Sequence, residues 1–143
     1  MKSGGGPKTY RRNAMKSALI GLIGLCMAAS AVAAEPGQVT PLMTKDLKEI
    51  AGKEAVVITV DYAPGASDRV HRHNAHAFVY VLEGSVVMQV KDGKQVTLGP
   101  GQTFYESPDD IHTVGHNASD TKPAKFIVFF VKDKETPLLS PAQ

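Results

Sequence analysis

Cysteine is almost absent from this 143-residue sequence, in which Cys26 is the single example. The residue before it, Leu25, is larger than the small residue that a lipid-attachment cysteine requires, so Cys26 is not interpreted as an anchor. It also lies in a segment that we expect to be removed. Without Cys26 the processed chain has no thiol, which excludes disulfide bonds and thiol catalysis.

Acidic residues are absent from positions 1–34, and basic ones precede an apolar run that starts at Ala18. Small residues follow the run, and the order of basic charge, apolar core and Ala-x-Ala is typical of a secretory signal peptide. A membrane anchor is the alternative, but the run is rich in Gly and Ala and barely long enough to span a bilayer. We therefore predict a cleavable signal peptide over 1–34, cut after Ala33 or Ala34. The processed protein is expected to be periplasmic or secreted, with no stable membrane anchor.

The leader is compatible with two export routes, the twin-arginine route and the general secretory route. Arg11-Arg12 resembles part of a twin-arginine signal, although Ala14 stands where a large apolar residue is usual. Met15 is an alternative start that would discard both arginines. The general secretory route is therefore the simpler expectation.

A basic patch is also lacking once the leader is set aside. Five of the sixteen Lys and Arg residues fall in 1–34, so eleven remain against fourteen acids, a formal net charge of −3 with His neutral. This charge balance leaves no excess of basic residues that could bind nucleic acid, so no nucleic-acid partner is expected. A hydrophobic content of 43% with 21% charged residues indicates a globular chain, long enough for one domain.

Short apolar runs separated by turns rich in Gly and Pro fill the processed chain. They recur about every ten residues, which predicts an all-β antiparallel sandwich or barrel. The predicted strands cover residues 54–62, 70–73, 77–83, 85–90, 95–98, 103–106, 111–114 and 124–132.

This pattern divides the processed chain into three parts. Residues 35–49 are predicted to form an N-terminal arm, and residues 45–50, where the arm meets the barrel, to make one helical turn. The barrel covers 50–132, and a tail covers 133–143.

Three of the five histidines, His71, His73 and His76, stand close together, and His112 and His116 follow later. Side chains two apart on a strand share a face, so His71 and His73 should point the same way, close enough to share one ion. Two unrelated surface histidines are the alternative, which leaves the downstream histidines unexplained. The pattern predicts a metal inside a β-barrel, with His116 at the surface.

The spacing of these residues resembles that of the cupin family, which folds as a small jelly-roll barrel, the double-stranded β-helix. The second cupin motif is matched more loosely than the first, with one residue inserted before its proline and one missing after it. The resemblance covers about residues 50–132 and implies a single-domain barrel that holds one divalent metal. The matching residues are Gly65, His71, His73 and Gly84 for the first motif, and Gly101, Pro108 and His112 for the second.

One departure from the family changes the expected chemistry. The position that the resemblance assigns to a glutamate ligand is Ala77, which cannot bind a metal. The remaining set, His71, His73 and His112, would leave the charge of the ion uncompensated and favour an anionic fourth ligand. Imidazoles suit several metals, so zinc, iron, nickel, manganese and copper are not distinguished.

His76 lies beside this vacancy and is the alternative fourth ligand. Strict alternation sends it to the opposite face of the strand, unless Asn74-Ala75 forms a bulge that re-aims it. The acidic pair Asp109-Asp110 is interpreted as a solvated turn, or else as an acceptor that orients His112.

Fold alone does not choose a function, because one fold hosts many. The main prediction is a metal-dependent oxygenase or isomerase acting on a small oxygen-rich molecule. The alternatives are a non-catalytic binding or sensing module and a metal-free structural barrel. Edge strands of small barrels often pair between subunits, so a homodimer is expected. The apolar residues expected to keep water from the site are Val79, Val81, Met88 and Phe126.

Overall fold

Ten β-strands and no helix form residues 34–142, the part of the chain that the computed structural model describes. The all-β prediction is therefore confirmed for this part. The predicted signal peptide lies outside the described residues except for its last position. No helix able to cross a membrane occurs within 34–142. In chain order the strands are β1 (Gln38–Asp46), β2 (Lys53–Tyr62), β3 (His71–Arg72), β4 (Ala75–Glu83), β5 (Val86–Val90), β6 (Val96–Leu98), β7 (Thr103–Glu106), β8 (His112–Asn117), β9 (Ala124–Asp133) and β10 (Ser140–Pro141).

The strands form two antiparallel sheets of five strands each. The first sheet has the order β1-β2-β9-β4-β7, and the second has the order β10-β3-β8-β5-β6. From β2 onwards the chain passes repeatedly from one sheet to the other, which is the connectivity of a jelly roll. The inner faces of the two sheets share one apolar core.

Strands β4 and β9 show why these residues form strands. Both alternate regularly between buried and more exposed side chains, which is the two-residue period of a strand with one face in a core. Val79 and Val81 of β4 and Phe126 and Phe130 of β9 are all buried. Burying one such side chain contributes about 1.5–3 kcal/mol, so this inner face is a main source of stability.

The predicted turns depend on backbone conformations that few residues adopt. Gly84 has a φ of +68°, and a Cβ there would lie 2.4 Å from the carbonyl oxygen of Pro123. Asp92 has a φ of 62° in the hairpin between β5 and β6. Asp and Asn tolerate the left-handed region better than most residues, so the turn keeps its hairpin form.

The predicted helical turn at 45–50 is wrong. Strand β1 continues to Asp46, which pairs with Glu54 of β2. Every residue of β1 is exposed, so no apolar alternation identifies it in the sequence. Backbone pairing with β2 forms the strand instead.

The tail also contributes a strand. In β10, Ser140 pairs with Arg72 and Pro141 with His71. The tail thereby extends the second sheet beside β3, the strand that carries the first histidine of the predicted site.

Candidate metal centre

The second sheet and the loop after β3 bring three of the predicted ligands together. His71 of β3 and His112 of β8 are direct partners across the antiparallel pair, and His73 follows two residues after His71. One ring nitrogen from each lies within 4.8 Å of the other two, close enough to hold one metal ion. His71 and His112 are buried, and His73 is half-buried.

Two of the rings are fixed by backbone carbonyl groups. The Nδ1 atom of His71 lies 2.7 Å from the oxygen of Arg69, and that of His73 lies 3.0 Å from the oxygen of Leu138. A carbonyl oxygen only accepts, so Nδ1 carries the proton in each neutral ring and Nε2 carries a lone pair. Both rings therefore present an Nε2 ligand atom to the same point.

The distance between these two ligand atoms fits a shared ion. Nε2 of His71 lies 3.0 Å from Nε2 of His73. Without an ion, either two lone pairs face each other or one ring carries an extra proton. Two nitrogens at about 2.0–2.1 Å from one ion would lie about 2.8–3.4 Å apart for bond angles between about 90° and the tetrahedral angle. The donor set therefore fits a divalent transition metal.

His112 completes the set and is itself incompletely satisfied. Neither of its buried ring nitrogens has a hydrogen-bond partner among the described residues. A buried polar group without a partner lowers stability by about 1–3 kcal/mol, so binding of an ion or a ligand at this ring would recover free energy. Gly115 makes room for it, because a Cβ there would lie 2.9 Å from Cε1 of His112.

Burial keeps two of the site histidines neutral. Burial, with the charges of the neighbouring His71 and His112, lowers the pKa of His73 to about 4. Burial likewise lowers the pKa of His112 to about 4, assisted by His71. Metal binding requires neutral imidazole, so both rings are in the ligating form well below neutral pH.

Glu106 also faces the site, although the sequence interpretation did not single it out. It is the last residue of β7 and only 3% exposed. Its Oε1 atom lies 3.7 Å from Nδ1 of His112. Burial, with the charges of Asp110 and Asp68, raises the pKa of this carboxyl to about 7. The available signal was strand alternation, which gives Glu106 the face of the half-buried Phe104.

A second polar pair lies close by. The hydroxyl of Tyr62 donates to Asp68 Oδ2, and the other Asp68 oxygen accepts from the backbone N–H of Gly37 at 2.9 Å. Burial and the Asp68 carboxylate raise the pKa of Tyr62 well above its ordinary value. Tyr62 is therefore a fixed hydrogen-bond donor.

The histidines open into a cavity of about 680 Å³ with mainly apolar walls. Three of the four predicted wall residues, Val79, Met88 and Phe126, line it. Val81 is fully buried in the core and does not reach the cavity. Residues from both ends of the described chain also line the cavity, namely Ala34, Pro36, Gly37, Leu138, Leu139 and Pro141.

His76 lies outside the cluster, which corrects its prediction as a possible fourth ligand. It is exposed on the outer face of β4, and its Nδ1 lies 2.7 Å from the hydroxyl of Tyr105. Asn74 does adopt a positive φ of 47°. The chain re-enters β4 with Ala75 and Ala77 facing inward, so the irregularity does not bring His76 inside.

The remaining polar candidates have local structural partners. Nδ1 of His116 lies 2.8 Å from the carbonyl oxygen of Asn117. Asp110 accepts a hydrogen bond from the backbone N–H of Ser107 at 2.7 Å, as expected of a turn residue. Glu106, rather than the Asp109-Asp110 pair, is the acidic side chain that approaches the His112 ring.

Comparison with solved structures supports the fold. A protein with a double-stranded beta-helix domain from Klebsiella pneumoniae aligns with a TM-score of 0.60 at 15% identity, over 78% of this chain and 89% of that one. Oxalate oxidase in complex with glycolate aligns at 0.56 and 22% identity, over 76% and 56%. The DMSP lyase DddQ of Ruegeria pomeroyi aligns at 0.55 and 19% identity, over 62% and 43%. The chain thus spans about half the length of these two enzymes or less.

Sequence comparison gives the family. No curated protein matches the chain. The family model described as "Cupin domain" matches residues 58–130, which is just over half of the sequence and includes all three clustered histidines. Fold, connectivity and this match agree, and the chain belongs to the cupin family.

Proposed function

We propose that this cupin binds one divalent transition metal through Nε2 of His71, His73 and His112, and that it is a metal-dependent oxygenase or isomerase. The observation that carries the proposal is the convergence of two carbonyl-anchored rings and one unsatisfied ring on a single point. When bound, the ion would supply Lewis acidity to an oxygen of the substrate.

The cavity narrows the class of substrate. Its walls are mainly apolar, and its polar groups gather around the histidines, Glu106 and Asp68. Such a lining accommodates a ligand with an apolar body, and its polar groups favour a few oxygen atoms at the end of the ligand that meets the ion. We therefore propose a small molecule with one oxygenated end, which is narrower than the oxygen-rich molecule expected from sequence. The protein walls would exclude bulk water around that end.

Metal content tests the first part of the proposal. The full chain, expressed with its leader and without an affinity tag, should carry one ion per chain by elemental analysis. His73→Ala should lose the ion, because it removes one of three ligands. His76→Ala is the matched control, since that ring lies on the outer face of the neighbouring strand, and it should keep the ion. Equal metal content in the wild type and His73→Ala would contradict the site.

The alternative is a non-catalytic binding module, which the same apolar cavity would serve. An enzyme needs an exchangeable position on the ion, whereas a structural site is closed. Azide added to the cobalt-loaded protein should change its visible spectrum if a position is open. An unchanged spectrum would contradict the enzyme and favour a structural ion.

We also propose that the chain is exported and forms a homodimer. A row of exposed aromatic side chains on the outer face of the first sheet, Phe78, Tyr105 and Phe129, supports the dimer. Sedimentation should give twice the chain mass, and Phe78→Ser should shift it toward the monomer. Recovery of the unprocessed chain from the cytoplasm alone would contradict export.

A further inference from the structure

Alternation along β7 indicates which way Glu106 faces, but only strand pairing shows which residue lies opposite it. In the antiparallel pair of β4 and β7, Ala77 and Glu106 are direct partners. Directly opposed residues project to the same face, with Cβ atoms about 4.5–5.5 Å apart. Both side chains are buried. A carboxylate on β7 therefore enters the barrel beside the position on β4 where alanine leaves the site without one.

The carboxylate of Glu106 forms no hydrogen bond within the described part of the chain. Its side chain is only 4% exposed, and Nδ1 of His112 lies 3.7 Å from its Oε1. It also lines the cavity into which the three rings open. Burying a carboxylate without a partner is costly, so a fold that keeps one there gains something from it.

The contacts of the three rings indicate what Glu106 contributes to the site. His71 and His73 each have an Nδ1 acceptor, Arg69 O and Leu138 O respectively, which directs Nε2 toward the shared point. His112 has no acceptor at hydrogen-bond distance and angle, although the backbone of Val114 is near enough to act on its pKa, and Glu106 is the acidic group beside its Nδ1. An Nδ1–H donated to Glu106 would leave the Nε2 lone pair of His112 free for the ion, as in carboxylate–histidine–metal arrangements.

We propose that Glu106 is a positioning residue that orients His112 for metal binding and supplies the negative charge that three neutral imidazoles lack. The inference rests on the proposed metal site. It requires the Glu106–His112 pair to shorten from 3.7 Å to hydrogen-bond distance, about 2.7–2.9 Å for a charged pair, when the ion binds.

Metal affinity tests the inference. The cobalt affinity of the full chain is measured by competition with a chelator for the wild type, Glu106→Ala and Glu106→Gln. Loss of an outer partner of this kind lowers metal affinity about 10–100-fold, which is the result expected for Glu106→Ala. Glu106→Gln should fall between, because its amide oxygen still accepts from Nδ1 but carries no charge. Glu83→Gln, at the exposed end of β4, is the matched control and should match the wild type.

Proton resonances distinguish orientation from general structural support. In the zinc-loaded, 15N-labelled protein, each site histidine should give an Nδ1–H signal protected from solvent. Glu106→Gln should move the His112 signal and leave those of His71 and His73 in place, since their acceptors are backbone carbonyls. A purely structural role would lower the thermal stability of the metal-free protein without changing cobalt affinity or that single resonance.

Failure of the inference and failure of the site give different results. A wild type that binds no cobalt removes the metal site. A wild type that binds cobalt, with Glu106→Ala and Glu106→Gln within twofold of it, overturns the role of Glu106 alone. A His112 signal that stays in place in Glu106→Gln also overturns it.

Discussion

Three histidines of the first motif lie within a short segment, but they differ in the face they occupy, in exposure and in the partner of Nδ1. His71 and His73 face the barrel interior, and each has its Nδ1 beside a backbone carbonyl oxygen. His76 faces outward, is exposed and contacts an exposed tyrosine hydroxyl. Nearness in sequence therefore does not make a ligand. The side of the strand and the acceptor at Nδ1 determine which ring nitrogen meets an ion.

The largest expected effect concerns the protonation of His73 and His112 in the metal-free protein. Unfolded histidine titrates near pH 6.5, whereas burial lowers the pKa of His73 and of His112 to about 4. Their contribution to stability is therefore complete above pH 6.5 and lost as the pH falls toward 4. We expect the free energy of unfolding, measured with urea, to fall on the order of a few kcal/mol across this window.

Glu106 opposes this trend, which sharpens the test. Its folded pKa of about 7 lies above its unfolded value of 4.5, so its contribution is complete below pH 4.5 and lost as the pH rises through 7. Glu106→Gln should therefore make stability rise more steeply between pH 4.5 and 7. If the stability of the metal-free wild type is constant from pH 4 to 7, and Glu106→Gln gives the same constant profile, the prediction that His73 and His112 are neutral is contradicted.

The contact between His73 and the Leu138 carbonyl group gives the next test of this comparison. Removing residues 138–143 deletes β10 and the Leu138 carbonyl oxygen that lies 3.0 Å from His73 Nδ1. Metal affinity should fall about 10–100-fold, as expected for loss of an outer partner. Chelator competition measures this change. Removal of residues 142–143 alone, which keeps β10 and the Leu138 carbonyl group, is the control. A chain that lacks 138–143 and has unchanged affinity would refute the role of the tail.

The room around His112 gives an effect of intermediate size. In Gly115→Ala the new methyl group would lie 2.9 Å from His112 Cε1 and 3.2 Å from the Tyr62 hydroxyl. Overpacking of this kind costs about 1–3 kcal/mol, and displacement of the ring should weaken metal binding as well. Gly99→Ala is the control, because its nearest neighbour would lie at 3.8 Å. Equal urea midpoints for the two variants would contradict the close fit.

The smallest effect belongs to the outer histidine. Tyr105→Phe removes the hydroxyl that lies 2.7 Å from His76 Nδ1 on the exposed face. An exposed hydrogen bond contributes about 0.5 kcal/mol, so thermal stability should change little and metal content not at all. Loss of metal in this variant would show that the outer face is coupled to the site.

Much of the fold was predictable because its signals are local. Strands β2, β4, β5 and β9 show apolar runs or alternation bounded by turns, and the spacing of His71 and His73 places both on one side of the chain. His112 was assigned to the same site because the second motif, although loose, places it there. The structure brings these three rings within 4.8 Å.

The rest depends on pairing between distant segments. Strand β1 is exposed throughout, and β10 is a two-residue strand, so neither has a side-chain pattern that identifies it. Glu106 was assigned to a strand, but its relation to Ala77 exists only in the register of β4 and β7. A single sequence does not encode that register in any local signal.

Ala34 has a consequence for maturation, because it lines the cavity. It would be the first residue of the chain if the leader were cut after Ala33. Cleavage would then place a free amino group in a lining that also contains Asp68. The cavity would acquire its final charge only when the leader was cut, so precursor and processed forms would differ in how they admit an anionic ligand.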